Sequence, residues 1–173
     1  DPGIGPDFTV NSVDILANGQ LVVGGDFNLF DLKPREGIAL LDSSGKLIED
    51  FIVGEGFDGS VKKVVAQPDL SIIAAGLFTS YQDQSINRVT RVKIDGSLDE
   101  GFDVGSGANA GIYEVVLQPD GKILLGGDFS IFNGLNKNAI VEKFGIHPIF
   151  ACKAISLVSF LVPLVELSKE IEL

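Results

Sequence analysis

The feature that most constrains this chain is a repeat. Gly25, Gly76 and Gly127 recur every 51 residues, and Phe27, Phe78 and Phe129 follow them in the same phase. An aromatic column, Phe30, Tyr81 and Phe132, comes three residues later. Upstream, Val10, Val61 and Ile112 align, as do Val13, Val64 and Val115; downstream, Ile38, Val89 and Ile140 align. Phe51 and Phe102 form a further pair. A period of this length is the signature of an architecture whose unit buries its faces only against neighbouring units.

Each unit reads as strands. The first runs from Val61 to Gln67 and is matched by Ile112 to Gln118. It ends in a turn, Asn18-Gly19 in repeat one and Pro119-Asp120-Gly121 in repeat three. Asn-Gly and Asp-Gly tolerate positive φ, so two-residue hairpin turns are expected there. The second strand is Leu21-Val22-Val23, Ile72-Ile73-Ala74 or Ile123-Leu124-Leu125. Such a continuous apolar run predicts burial on both faces. It enters Gly24-Gly25, Ala75-Gly76 or Gly126-Gly127, small residues that let backbones approach closely. The third strand, Arg88 to Ile94, ends at Asp95-Gly96, where repeat one has Ser44-Gly45. A short fourth strand is expected around Leu47 and Leu98. Three or four antiparallel strands per unit, at about 50 residues a repeat, fit a propeller blade, with an open stack of sheets as the alternative. The fold class expected is all-β: three propeller-like blades at 1–50, 51–101 and 102–145, followed by a non-repeating segment at 146–173.

Gln118-Pro119-Asp120-Gly121-Lys122-Ile123-Leu124-Leu125-Gly126-Gly127-Asp128-Phe129 resembles the core of the delta-60 repeat family. So does Asn87-Arg88-Val89-Thr90-Arg91-Val92 with Asp95-Gly96-Ser97-Leu98-Asp99. The resemblance covers residues 1 to 145, and departs from the pattern at Leu70, in the turn-glycine place, and at Ala17-Asn18-Gly19. It implies propeller blades of large secreted or surface proteins, mostly bacterial, and hence an extracellular or cell-surface setting. It brings no catalytic residues and no cofactor.

After Gly145 the period fails. The 12 residues from Ala154 to Val165 carry no charge, fewer than the roughly 20 a membrane-spanning helix needs. Lys153, Ser156, Ser159, Pro163, Glu166 and Glu170 make a narrow polar stripe at helical spacing, and Pro163 should kink or break it. A helix or extended arm that packs on the repeats or on another subunit is expected, with Ile155, Val158, Val162 and Val165 as its oligomerisation face. The opening Asp1-Pro2-Gly3 reads as a processed or excised start.

The formal net charge of −11 opposes phosphate backbones, so nucleic acid is disfavoured as a partner. Self-association or another protein is expected instead. Cys152, the sole cysteine, excludes an intrachain disulfide and reads as inert packing. His147, the sole histidine, sits beside Pro148 where the repeats end and reads as an ordinary junction residue. Gly54-Glu55-Gly56-Phe57-Asp58-Gly59 spells a dinucleotide fingerprint, but that motif needs a following helix, and here a strand follows. The same place reads Gly3-Ile4-Gly5 and Gly105-Ser106-Gly107 in the other repeats, as a linker turn would.

The candidate ligand residues are Asp26 and Asp128, which follow the double glycines, and Arg88 and Arg91, which only repeat two carries. Carboxylates at equivalent blade positions could ring an opening and hold Ca²⁺ or polar ligands; capping of a local turn is the plainer alternative. No cofactor or metal is expected. The reading is a non-catalytic scaffold or surface binding module. The alternatives are an assembly subunit driven by residues 146–173 and a propeller-based hydrolase or lyase. Three blades fall short of the usual four to eight. Two chains could form a six-bladed ring, the chain could belong to a longer array, or the C-terminal segment could seal the blade edges.

Overall fold

A computed structural model of the chain describes residues 3–137 and 140–144. Within them every regular element is a strand. Repeat one supplies β1 (Val10–Ile15), β2 (Leu21–Gly25), β3 (Leu29–Phe30), β4 (Lys33–Pro34) and β5 (Ile38–Leu41). Repeat two supplies β6 (Val61–Ala66), β7 (Ile72–Gly76), β8 (Ser80–Tyr81), β9 (Gln84–Ser85) and β10 (Val89–Val92). Repeat three supplies β11 (Ile112–Leu117), β12 (Lys122–Gly127), β13 (Ile131–Phe132), β14 (Leu135–Asn136) and β15 (Ile140–Phe144).

Each repeat folds into one antiparallel three-stranded sheet, β1-β2-β5, β6-β7-β10 or β11-β12-β15, with a two-strand hairpin inserted before the third strand. Single bridges Leu41↔Leu47 and Val92↔Leu98 are all that forms of the expected fourth strand in the first two blades. The blades stack in order, and β6 packs against both β1 and β2, as β11 does against β6 and β7. The core lies between sheets: Val22, Ile38 and Leu40 of blade one meet Phe57, Val61 and Val64 of blade two, while Ile73, Ala75 and Val89 of blade two meet Ile112 and Val115 of blade three. Phe57 stands 4.3 Å from Phe78 and 4.4 Å from Tyr81, which ties the β8–β9 hairpin to the blade.

Two sequence patterns find their cause here. The first strand of every blade carries a bulge: between Val10 and Ser12, between Val61 and Lys63, and between Ile112 and Glu114. The extra residue lets side chains three apart, such as Val61 and Val64, share one face of a period-two strand. The glycine at 25, 76 and 127 lies opposite that bulge. A Cβ there would collide with the carbonyl of Thr9, Ser60 or Gly111, so no other residue fits.

The turn after the first strand differs from expectation. Leu16 N–H donates to Gln20 at 2.8 Å and Gly19 N–H to Leu16 at 2.8 Å, closing a three-residue loop; Gln67–Ser71 and Gln118–Lys122 repeat it. The first loop residue is Ala17, Pro68 or Pro119, and each loop spans three residues rather than two. The negative φ that Pro68 and Pro119 fix suits the first position of a type I turn followed by one left-handed residue, and Asn18, Asp69 and Asp120 do not hold the positive φ that a two-residue mirror-image turn would need of them. Gly19, Leu70 and Gly121 are the left-handed residues, at φ 84°, 70° and 81°. The Gly54–Gly59 stretch is a turn leading into β6. No helix among the described residues is long and apolar enough to cross a membrane. The expected C-terminal helix, with Ile155, Val158, Val162, Val165, His147 and Cys152, lies outside the described residues.

Candidate functional site

The bulges aim side chains at the ends of the second strands. Asn11, Lys62 and Tyr113 are the three bulged residues. At the first blade junction, Asn11 Nδ2 donates to Asp26 Oδ1 at 2.9 Å and to the Val61 carbonyl at 2.9 Å. Lys62 Nζ lies 3.3 Å from the same carboxylate, and Ser60 Oγ donates to it as well. Burial pushes the Asp26 carboxyl up, but the hydrogen bonds from Ser60, Asn11 and Lys62 outweigh it and hold the group below the usual carboxylate range. Asp26 therefore serves as an anionic clasp between blades one and two.

Further along the same junction, Val64 N–H donates to Ser12 Oγ at 3.2 Å and Ala66 N–H to Asp14 Oδ2 at 2.8 Å. These two side chains satisfy edge backbone groups of β6 that no strand covers. At the second junction a Lys63–Glu114 pair at 2.9 Å takes that place. Asp128 accepts a hydrogen bond from Tyr113 Oη at 3.0 Å, within its own blade. That bond raises the Tyr113 phenol above its ordinary value, with the charge of Arg88 pulling the other way. Asp26 and Asp128 thus occupy equivalent places with different partners. Among the described residues no three His, Cys, Asp or Glu side chains converge as metal ligands would.

Arg91 is committed to structure. Its side chain is buried, its Nε donates to Asp99 Oδ2 at 2.6 Å, and its guanidinium lies 5.0 Å from the Phe102 ring centroid.

Arg88 is placed differently. It holds φ 73° where the equivalent residue of repeat one is Gly37, at φ 78°. A bulky residue in the left-handed region costs about 1–2 kcal/mol. Its Nη1 donates to the Leu77 carbonyl, and its Nε is buried without a protein partner. Arg35 Nε shares that state, but the Arg35 guanidinium is held by the carbonyls of Pro34 and Glu49.

Arg88 also lines a cleft of about 290 Å³ between blades two and three, with Asn87, Ser106, Gly107, Asn109 and Ile131. The amides of that lining are already used. Asn87 Nδ2 donates to the Ser106 carbonyl at 3.0 Å, and Asn109 Nδ2 donates to Ser130 Oγ at 3.1 Å. Asn109 Oδ1 accepts from the Ser130 and Ile131 N–H groups at 3.0 and 2.9 Å. Arg88 is thus the one charged residue in a lining whose amides are engaged with neighbouring groups.

Sequence reasoning singled out Arg88 but missed its setting. It also missed the Asp7, Asp58 and Asn109 column, which recurs at the same period and clasps each hairpin. Asp7 Oδ1 accepts from Asn28 and Leu29 at 2.9 Å each, and Asp58 Oδ1 from Thr79 and Ser80 at 2.6 and 2.8 Å.

The stacked sheets and their junction clasps define a β-propeller-like repeat domain. Residues 67–102 and 118–142 match a family described as a beta-propeller domain of unknown function (DUF5122). Both matched stretches fall within the part of the chain that resembles the delta-60 repeat. No curated protein and no solved structure matches the chain.

Proposed function

We propose that the chain is a non-catalytic propeller-type module that works as a surface binding unit, and that the cleft between blades two and three holds a small anionic ligand. The observation that carries this reading is Arg88. A strained, left-handed arginine stands where glycine serves in repeat one, and it is the one charged residue among those that line the cleft. A residue held in a strained backbone conformation at a cleft is a candidate for function. Arginine also matches carboxylate and phosphate groups through paired N–H donors.

The non-catalytic part rests on what the repeats contain. Every histidine and cysteine of the sequence lies beyond Gly145, and the polar residues at the blade junctions are engaged with one another. An extracellular or cell-surface setting, as the delta-60 resemblance implies, completes the proposal.

The test is thermal unfolding with acetate, phosphate and sulfate as probes, on the wild type and on Arg88→Gly. At least one probe is expected to raise the wild-type midpoint in a saturable way, since a ligand that binds only the folded state stabilises it by mass action. The variant is expected to lose that response while its own midpoint stays level or rises. Equal shifts in both proteins, or none in either, would show that the cleft is not an anion site.

A further inference from the structure

The two internal junctions of the stack are copies of one contact, and among the described residues the same contact is left half-made at each end. In blade two, Val61 and Val64 are 0% and 1% exposed; in blade three, Ile112 and Val115 are 0% and 3% exposed. Their equivalents in blade one, Val10 and Val13, are 40% and 55% exposed, and Ile15 beside them is 64% exposed. The opposite face shows the converse. Val22 and Ile73 are buried against the following blade, at 0% and 1%, whereas their equivalent Leu124 is only partly covered and Val116 next to it is 48% exposed. The junction also has a fixed steric fit. A Cβ on Gly24 would come within 2.7 Å of Val64 Cγ1 and 2.8 Å of Val61 Cγ1, so blade one already lies in close contact with its neighbour's first strand.

We infer that a second copy of this chain covers both faces, head to tail. The Val116–Leu124 face of blade three in one copy seats on the Val10–Val13–Ile15 face of blade one in the other. The inference follows from continuity with the internal interfaces: a surface buried twice in one register is complementary to the surface that buries it. Head-to-tail contacts either close into a ring or run on as a filament. Two copies make six blades, inside the four to eight that close as propellers, so both junctions form at once and neither of these two end faces stays wet. The contact is separate from the Arg88 cleft, which lies at an internal junction.

The experiment is sedimentation velocity on the full chain in the micromolar range, alongside Val13→Glu and Val116→Glu. Both positions are exposed in the single copy, so each variant keeps the β-sheet circular dichroism and melting midpoint of an isolated copy. The wild type is expected at twice the chain mass and each variant at the chain mass. An equimolar mixture of the two variants is expected to regain species of twice the chain mass, because one junction of the mixed pair is intact. A wild type at the chain mass throughout overturns the inference. So does a dimer that survives in both variants, a mass that grows without limit as concentration rises, or a mixture that stays at the chain mass.

Discussion

Single residues in left-handed turns show how unevenly the repeats are optimised. The β13–β14 hairpin turns on Asn133-Gly134, at φ 48° and 72°, the favoured pair for a two-residue mirror-image turn. The β3–β4 hairpin uses Asp31-Leu32 instead, at φ 50° and 62°, and Leu32 is 71% exposed. Little packing is lost with that side chain, so removal of the steric penalty decides the sign. Leu32→Gly is expected to stabilise the fold by about 1 kcal/mol, read as a rise of about 3 °C in the melting midpoint. Leu70 is a different case, since its side chain packs on the core and a glycine there loses burial as it gains freedom.

Asp58 offers a second residue-scale test. Burial pushes its carboxyl up, but hydrogen bonds from Thr79 and Ser80 prevail and hold it below the usual range. Its contribution is therefore complete above the ordinary carboxylate pKa and is lost as pH falls through the lowered folded value. Asp58→Ala is expected to cost about 1–3 kcal/mol, since it strips two backbone N–H groups of their acceptor. Asp58→Asn is expected to keep the clasp, as Asn109 does in blade three, and to flatten that part of the acid limb in pH-dependent unfolding. The column was visible in the sequence. Its role was not, because the partners lie 21 and 22 residues downstream and Asp or Asn reads locally as a turn residue.

At the scale of elements, the long strands and their order were legible from apolar runs and turn glycines. The bulges were legible too, in hindsight of one arithmetic fact: Val10 and Val13 stand three apart in a strand whose faces alternate by two, yet their equivalents in blade two share one face. Only an inserted residue reconciles the two. The hairpins β3–β4, β8–β9 and β13–β14 were not legible, because strands of two residues have no periodicity to read, and only Asn133-Gly134 carries a turn signal.

What fastens the middle hairpin is Tyr81, fully buried, whose hydroxyl donates to the Gly96 carbonyl at 2.6 Å. Burial, with a smaller push from Asp95, drives its phenol well above the ordinary value of 10.0. A raised acid stays neutral in the fold while the unfolded chain ionises. Its contribution is thus complete below pH 10.0 and is lost as pH rises from there toward the folded value. Tyr81→Phe is expected to cost about 1 kcal/mol at neutral pH, the low end for a buried hydrogen bond, because Gln82 Nε2 also serves the Gly96 carbonyl at 3.1 Å. The same variant is expected to lose the Tyr81 part of the alkaline sensitivity in urea titrations run on either side of pH 10.0.

For the whole molecule, three blades hold together through a repeated sheet-on-sheet core and through polar clasps that differ at each junction. The repeat made the blades legible, since a 51-residue period fixes which positions are equivalent. It could not show the clasps, because Asn11, Lys62 and Tyr113 share a position but not a chemistry. Nor could it mark the Arg88 cleft, which arises where two blades meet. Each blade buries the first-strand face of the next.

Labelling of engineered thiols tests that claim most directly, with Val13→Cys, Val64→Cys and Val115→Cys each introduced into a Cys152→Ser background. The stack predicts that the thiols at positions 64 and 115 react more slowly than in denaturant by orders of magnitude, since they are reached only through opening of the fold. At a dilution where single copies prevail, the thiol at position 13 is expected to react as an exposed one does. Equal reaction rates at all three positions would contradict the stacking of the repeats.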